Sequence, residues 1–586
     1  MRSSTHEPGA EPRLTLASGI LSRRMRLPRP QTSDVICDRD LRAPMDDGVL
    51  LLADRWVARD GADRPTPTVL VRSPYGRRQL VGLLFGRLLA ERGLQVVIQS
   101  VRGTFGSGGA FSPFDERADG LATLRWLRSQ PWHAGPVGTL GPSYLGFVQW
   151  AIADDDVAAM SIHVSASEFH SPTYAGSSLS LETLASWLVI VAMQERRLGL
   201  LAMDRALRGL SAVISELPLT SLDERITGAP IEWFQEGFAS PGREDPYWVR
   251  RDHSREVADV TAAVSFVGGW YDILLPWMLA DFEVLQEAGR APRLLIGPWA
   301  HTSPELVGAA ERDGLAWMRA HLLGDDRLLR PAAVRLMVTG ERTGGGWRDL
   351  PEWPPPAVER SFYPDAGRVL RERPAESDDE AGAGEGAGAG EGGGAGAGGA
   401  GGEGGDPYRY DPADPTPALG GPVLLSRAPV VDNAPLEGRP DVLTYTGPVL
   451  LQTLEAIGHV SVELWLRAGA PWFDVFARVC DVDAGGVSRN VTDALASVAP
   501  GRFEQSADGA WHVRFQLWPI GHRFAAGHRL RLQVSSGAHP RYARNPGTGE
   551  DPATATAATL RAVDIELLHD AEHPSRVVLP VTGLTG

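Results

Sequence analysis

Apolar and polar positions follow three successive rhythms along this chain. In "DVICDRDLRAPMDDGVLLLADRWVARD", from Asp34, short alternating runs are split by Asp-Asp-Gly and read as antiparallel strands. "TPTVLVRS" and "LQVVIQS" are continuous apolar runs of strand length, separated by the amphipathic "LVGLLFGRLLAERG". The helical "RADGLATLRWLRSQ" then precedes a third apolar run, "PVGTLGPS". Strands alternating with helices predict a parallel sheet covered by helices on both faces. Between about residues 170 and 255 this rhythm stops, and "LSLETLASWLVIVAMQERRLGLLAMDRALRGLSAVISEL" reads as helices inserted over the sheet as a cap. The sheet resumes with "VSFVGGWYD" and "APRLLIGPWAH". Beyond residue 346, "FDVFARVCDVD", "WHVRFQLWPIGHRF" and "TLRAVDIELLH" alternate at period two, which predicts an all-β sandwich, with a jelly roll as its expected form.

The expected organisation is therefore an α/β domain over residues 35–169 and 256–345, interrupted by the helical cap at 170–255. A C-terminal β-sandwich follows at 346–586. Residues 1–34, rich in Pro, Arg and Ser without periodicity, are expected to form a disordered tail. Residues 376–406 are Gly/Ala/Glu repeats too poor in apolar side chains to offset the entropy of ordering, and are expected to be a disordered loop within the sandwich.

Composition removes several chemistries. The 57 basic residues are all arginine, so a Walker A lysine, a pyridoxal Schiff base and a Ser-Lys dyad are excluded. The net charge of -16 argues against a nucleic-acid or anionic-membrane partner. Only Cys37 and Cys480 occur, far apart, which implies neither a disulfide framework nor a thiolate zinc site. The first thirty residues lack the continuous apolar core of a signal peptide, and a soluble, cytoplasmic protein is the expectation. No metal or cofactor is implied: His522 and His528 have no carboxylate at ligand spacing, and the glycine-rich loop after Arg102 does not open a helix as a phosphate cradle would.

Three residues stand immediately beyond predicted sheet strands: Ser143 after "PVGTLGP", Asp272 after "VSFVGGWY" and His301 after "LLIGPWA". Reactive groups in open parallel sheets collect beyond the carboxyl ends of strands. The order Ser, Asp, His is that of the α/β-hydrolase triad. An Asp after a strand is more often a turn or capping residue, and one His among 14 is ordinarily structural. Their joint placement is what singles these three out as nucleophile, orienting carboxylate and general base.

The turn "GPSYLG" departs from G-x-S-x-G, since its second glycine is Gly146 and not residue 145. In this it resembles the nucleophile elbow of the cocaine esterase and X-Pro dipeptidyl-peptidase type of serine hydrolase, the CocE/NonD family. "VRSPYG", "VVIQSVRGTFGSGG", "GGWYD", "GPWAH", "YDPADPTPALGG" and "GHRLRLQVSSG" are also similar to that family, in order, from about residue 35 to the end. The resemblance implies an α/β-hydrolase with a helical cap and a jelly roll closing over the site. It carries over Ser143, Asp272 and His301 as the triad, and implies an oxyanion hole made by the Tyr75 hydroxyl and the backbone N–H of Tyr144.

Enzymes of this kind cleave carboxylic esters, amino-acid esters or the bond after a penultimate proline. Binding a free α-amino group requires carboxylates near the acyl pocket, yet Asp272 is followed by the apolar "ILLPWML". An esterase for hydrophobic or aryl esters is therefore expected, with Phe169, Tyr174, Trp270, Trp277 and Trp299 as pocket candidates. The alternatives are an X-Pro dipeptidyl-peptidase using Glu168 or Glu182 to hold the amine, and a non-catalytic binding protein. The expected partner is a small ester or short peptide, and a homodimer is left open.

Overall fold

The computed structural model describes residues 12–153, 157–196, 199–340, 346–372 and 404–585. Ten strands form the first sheet. They are β1 (Val35–Pro44), β2 (Leu50–Ala58), β3 (Thr66–Ser73), β4 (Gln95–Ser100), β5 (His133–Pro142), β6 (Val157–His163), β7 (Ala263–Tyr271), β8 (Arg293–Ala300), β9 (Val334–Val338) and β10 (Gly346–Leu350). Their order is β1-β2-β4-β3-β5-β6-β7-β8-β9-β10. The run from β4 to β9 is parallel, flanked by antiparallel pairs at both edges.

Alternation along each strand divides an unbroken apolar run between two cores. Leu70 and Val97 enter one, beside helix Arg117–Arg128 and helix Leu275–Glu287. Val69, Val71, Val96 and Ile98 enter the other, with helix Pro304–Leu323 and the segment Gly82–Ala90. Where this second helix layer comes closest, the strand carries glycine: a Cβ on Gly138 would lie 2.5 Å from the Met318 sulfur.

The segment between β6 and β7 holds the helices Leu181–Met193, Gly199–Ile214, Leu222–Thr227 and Glu232–Phe238, packed around their own apolar cluster that includes Leu188, Leu210 and Leu222. Among the described residues after β10 there are fourteen strands, an all-β domain whose interior is continuous with the α/β core through Trp270 and Trp353. Among the described residues no helix is long and apolar enough to cross a membrane.

Three expectations are corrected. The all-β domain does not begin at residue 346, because Gly346–Leu350 pairs with Val334–Val338 as the edge of the first sheet. Residues 12–34 are not a disordered tail: Pro12–Arg24 is helical, and Leu21, Met25 and Leu27 pack on the second core. The cause is the buried charge beneath them. Arg87, already paired with Glu91 at 2.9 Å, donates to Thr15 Oγ1 at 3.0 Å, Arg92 donates to Ser22 Oγ at 3.0 Å, and Ser18 Oγ donates to Glu91 at 2.5 Å, so the segment completes the hydrogen bonding of charges it helps to bury. Residues 1–11 lie outside the described residues.

The expected loop at 376–406 also ends early. Gly405–Tyr410 pairs antiparallel with Val563–Leu568, and Asp406 accepts from the Tyr445 hydroxyl at 2.6 Å. Residues 376–403 lie outside the described residues.

Candidate active site

Ser143 stands between β5 and the helix Tyr144–Trp150 with φ 54° and ψ -122°, a conformation a non-glycine residue holds only when its surroundings impose it. Those surroundings are specific. The Ser143 amide donates to the His163 carbonyl at 2.9 Å, and its own carbonyl accepts from Ser165 Oγ at 2.7 Å. A Cβ at Gly141 would lie 2.4 Å from Leu145 Cβ, and one at Gly146 2.4 Å from Ser165 Cβ. The displaced second glycine is thus explained: the elbow touches Ser165, after β6, through position 146. Tyr144 is the first helical residue, so its amide precedes the intrahelical ladder.

Asp272 follows β7 and His301 follows β8, two and three strands from β5. His301 Nδ1 lies 2.5 Å from Asp272 Oδ2, while Asp272 Oδ1 accepts from the Leu274 amide at 2.8 Å. Asp272 is fully buried and His301 nearly so. An ionised carboxylate only accepts, so Nδ1 carries the proton and Nε2 is left as the basic nitrogen. Among the described residues no hydrogen bond yet joins Ser143 Oγ to His301, a contact that often tightens only in the substrate complex.

Tyr75 follows β3, the strand beside β5. Trp187, on the helix Leu181–Met193, donates its indole N–H to the Tyr75 hydroxyl oxygen at 3.0 Å. Burial pushes the Tyr75 phenol up to about 12, slightly offset by that bond, so it stays protonated. The phenol next in line behaves differently. Tyr144 donates its hydroxyl to Glu116 Oε1 at 2.6 Å and accepts from the Phe114 amide at 2.9 Å, and Glu116 is paired with Arg72 at 2.8 Å, both carboxylate and guanidinium being buried. Burial and the Glu116 carboxylate hold the Tyr144 phenol well above its usual range.

Ser143 opens on a cavity of about 110 Å³ between the sheet, the inserted helices and the all-β domain. Phe169, Tyr174 and Trp277 line it, as the sequence suggests. Phe114 stacks on Phe169 at 4.4 Å and on Trp187 at 5.6 Å, and Trp277 meets Trp518 edge-on at 6.0 Å. A second cavity of about 550 Å³ shares Tyr174, Leu179 and Phe238 with the first and is bounded by polar residues including Arg243, Arg502 and Asp551.

Trp270 and Trp299 are corrections: neither lines the cavity. The Trp270 indole donates to the Met337 carbonyl at 2.6 Å and packs on Trp353, because strand alternation sends it away from the site. The Trp299 ring lies over Gly297, where a Cβ would be 2.4 Å from the indole, and packs toward Trp347. Glu168 and Glu182 do not line it either. Glu168 accepts from the Ser171 amide at 2.9 Å, and Glu182 from Ser186 Oγ at 2.7 Å.

Phe114, Trp187 and Arg541 line the cavity without having been singled out in the sequence. Trp187 sits in an apolar helical run, where a lone tryptophan reads as core. Arg541 lies in a segment without periodicity, distant in sequence from Ser143 and from the inserted helices that line the cavity.

Comparison with known proteins shows the family and the fold. Residues 47–303 match the model for X-Pro dipeptidyl-peptidase (S15 family), and residues 330–578 that for the X-Pro dipeptidyl-peptidase C-terminal non-catalytic domain. The chain is 30% identical to cocaine esterase of Rhodococcus sp. (strain MB1 Bresler), over 92% of this chain and 98% of that protein. Among solved structures it resembles an aminopeptidase from a marine sediment Thaumarchaeota archaeon, with a TM-score of 0.76, 19% identity and 99% of both chains covered. It also resembles an α-amino acid ester hydrolase, with a TM-score of 0.75, 20% identity, and 95% and 98% covered.

Proposed function

This chain belongs to the CocE/NonD and S15 family of serine hydrolases, and on that premise we propose that it is an esterase for apolar and aryl carboxylic esters in which Ser143, His301 and Asp272 form the triad. His301 Nε2 takes the Ser143 proton as Oγ attacks the ester carbonyl, and returns it to the leaving alcohol. Asp272 holds the ring and stabilises the imidazolium. The developing oxyanion is met by the Tyr75 hydroxyl and the Tyr144 amide. Because the Trp187 indole only donates, Tyr75 oxygen is the acceptor in that bond and its own proton remains free to donate. Water, activated by the same histidine, then releases the acid from the acyl-enzyme.

The wall of the cavity carries this reading. Among the described residues, no Asp or Glu side chain lines it. A substrate ammonium, as in an amino-acid ester or the N-terminus of an X-Pro peptide, would be desolvated there without a counter-charge, at a cost of several kcal/mol. The free space, about 110 Å³, is on the scale of one small ring or a short alkyl chain: an apolar cavity of roughly 150 Å³ takes up benzene.

Hydrolysis of a p-nitrophenyl acyl ester and of an Ala-Pro anilide, each with Ser143→Ala as control, tests the proposal. Faster ester cleavage that disappears in the variant supports it. Dominant anilide cleavage would make the protein a proline-directed peptidase instead, and labelling by a fluorophosphonate that survives Ser143→Ala would remove Ser143 from the mechanism.

A further inference from the structure

The apolar cavity has one charged wall residue among the described ones, Arg541, brought in by the all-β domain. Its side chain is 5% exposed. The guanidinium lies 5.3 Å from the Trp518 ring and 4.9 Å from the Tyr542 ring, both of which also line the cavity. Its Nη1 donates to Asp493 Oδ1 and the Tyr542 hydroxyl is a second hydrogen-bond partner of the guanidinium, whereas Nη2 is buried with no hydrogen-bond partner among the described residues.

Asp493 is shared: its Oδ2 accepts from Arg478 Nε at 3.0 Å and Nη2 at 2.8 Å, while its Oδ1 serves Arg541. Arg478 also donates from Nη1 to the Leu419 carbonyl and to Asn433 Oδ1, each at 2.6 Å, so that every one of its nitrogens has a partner. One buried carboxylate thus faces two buried guanidiniums. Glu182 is the other acid near Arg541, and no ion pair joins the two among the described residues. Burial works to lower the Arg541 guanidinium, but Asp493 and Tyr542 outweigh it and the group stays cationic.

An unpaired buried donor on a cation is costly unless a ligand completes it. We propose that Arg541 is a specificity-determining residue, whose Nη2 donates to a carboxylate on the substrate, so that the preferred ester carries one anionic group on an otherwise apolar body. The inference rests on the esterase reading and narrows its substrate class. The backbone makes room for the Arg541–Asp493 pair that holds this guanidinium in place: Gly421, at φ 81°, lies so close that a Cβ there would be 2.9 Å from Arg541 Nη1 and 3.1 Å from Asp493 Oδ2.

The test compares matched esters with and without the charge. 4-Nitrophenyl hydrogen glutarate against 4-nitrophenyl pentanoate places the carboxylate on the acyl side. 4-(Pentanoyloxy)benzoate against its methyl ester places it on the leaving group. We expect the charged member of one pair to show a kcat/KM at least about tenfold higher, the scale of one charge-assisted hydrogen bond in a desolvated site. That ratio should fall toward one in Arg541→Lys, which keeps a charge for Asp493 but loses the fork, and in Arg541→Met, where Arg478 still pairs with Asp493. Equal or better cleavage of both neutral esters by the wild type overturns the proposal, as does a ratio unchanged in the folded variants. If a variant does not fold, the wild-type comparison decides. Failure of the esterase reading is distinguishable: neither member of either pair would then be cleaved in a Ser143-dependent way.

Discussion

The indole N–H of Trp187 donates to the Tyr75 hydroxyl at 3.0 Å, tying a helix inserted after β6 to the loop after β3. This contact leaves the phenol proton as the only one Tyr75 can offer and fixes the direction it does not take. The inserted helices therefore orient a proposed oxyanion donor as well as walling the cavity.

Removing that donor gives the first expectation. Tyr75→Phe should lower kcat on a p-nitrophenyl ester about 100- to 1000-fold with KM little changed, the cost of one oxyanion donor. Trp187→Phe should cost less in kcat, since the donor remains, but should raise KM as well, because Trp187 also lines the cavity. An unchanged kcat in a folded Tyr75→Phe protein would remove Tyr75 from the mechanism.

The Asp272–His301 contact gives a second. Asp272→Asn should retain the fold, because an amide still accepts from the Leu274 N–H, yet lower kcat about 10⁴-fold by favouring the wrong imidazole tautomer. A loss smaller than tenfold, with thermal stability intact, would show that His301 does not depend on this carboxylate.

At the elbow, Gly146→Ala would place a methyl 2.4 Å from Ser165 Cβ, and Ser165 is the residue that holds the Ser143 carbonyl. Overpacking of this kind costs about 1–3 kcal/mol. We expect a lower thermal midpoint together with a loss of activity larger than the stability change explains. A variant with wild-type midpoint and wild-type kcat would show the elbow is not held through position 146.

Asp281 supplies a pH signature. Burial pushes its carboxyl up to about 8, against the bonds from the Ser167 amide at 2.8 Å and Ser167 Oγ at 2.6 Å. The folded state therefore holds this proton longer than the unfolded chain, whose aspartates titrate near pH ~4. The stabilisation is complete below pH ~4 and is lost as pH rises toward about 8, by up to roughly 1.4 kcal/mol per pH unit. Asp281→Asn should remove that slope, so its thermal midpoint relative to wild type should rise between pH 5 and pH 9. A constant difference across that range would contradict the shift.

Much of the fold could be read from periodicity. The continuous apolar runs at Val69–Val71 and Val96–Ile98 mark strands buried on both faces, and the period-two runs after residue 346 mark strands of an all-β domain, because a strand's two faces alternate whatever its partners. The disordered-tail reading of residues 12–34 went wrong for a related reason. Local composition signals whether a segment can bury its own apolar surface, and says nothing of the buried Arg87, Glu91 and Arg92 that recruit it from elsewhere in the chain.

The candidate site divides along the same line. Ser143, Asp272 and His301 were legible because each directly follows a sheet strand, and a parallel sheet gathers its strand ends on one edge by geometry alone. The aromatic candidates were only half right, since Trp270 and Trp299 depend on which face each strand end turns toward. Arg541 and Trp187 reach the cavity from the all-β domain and the inserted helices, through packing between segments far apart in the chain. The strand-borne chemistry is legible along the chain, because sequence neighbours set its position. The cavity wall is a product of packing, because its lining, with Arg541 as its one charged residue among those described, arises where the sheet, the inserted helices and the all-β domain meet.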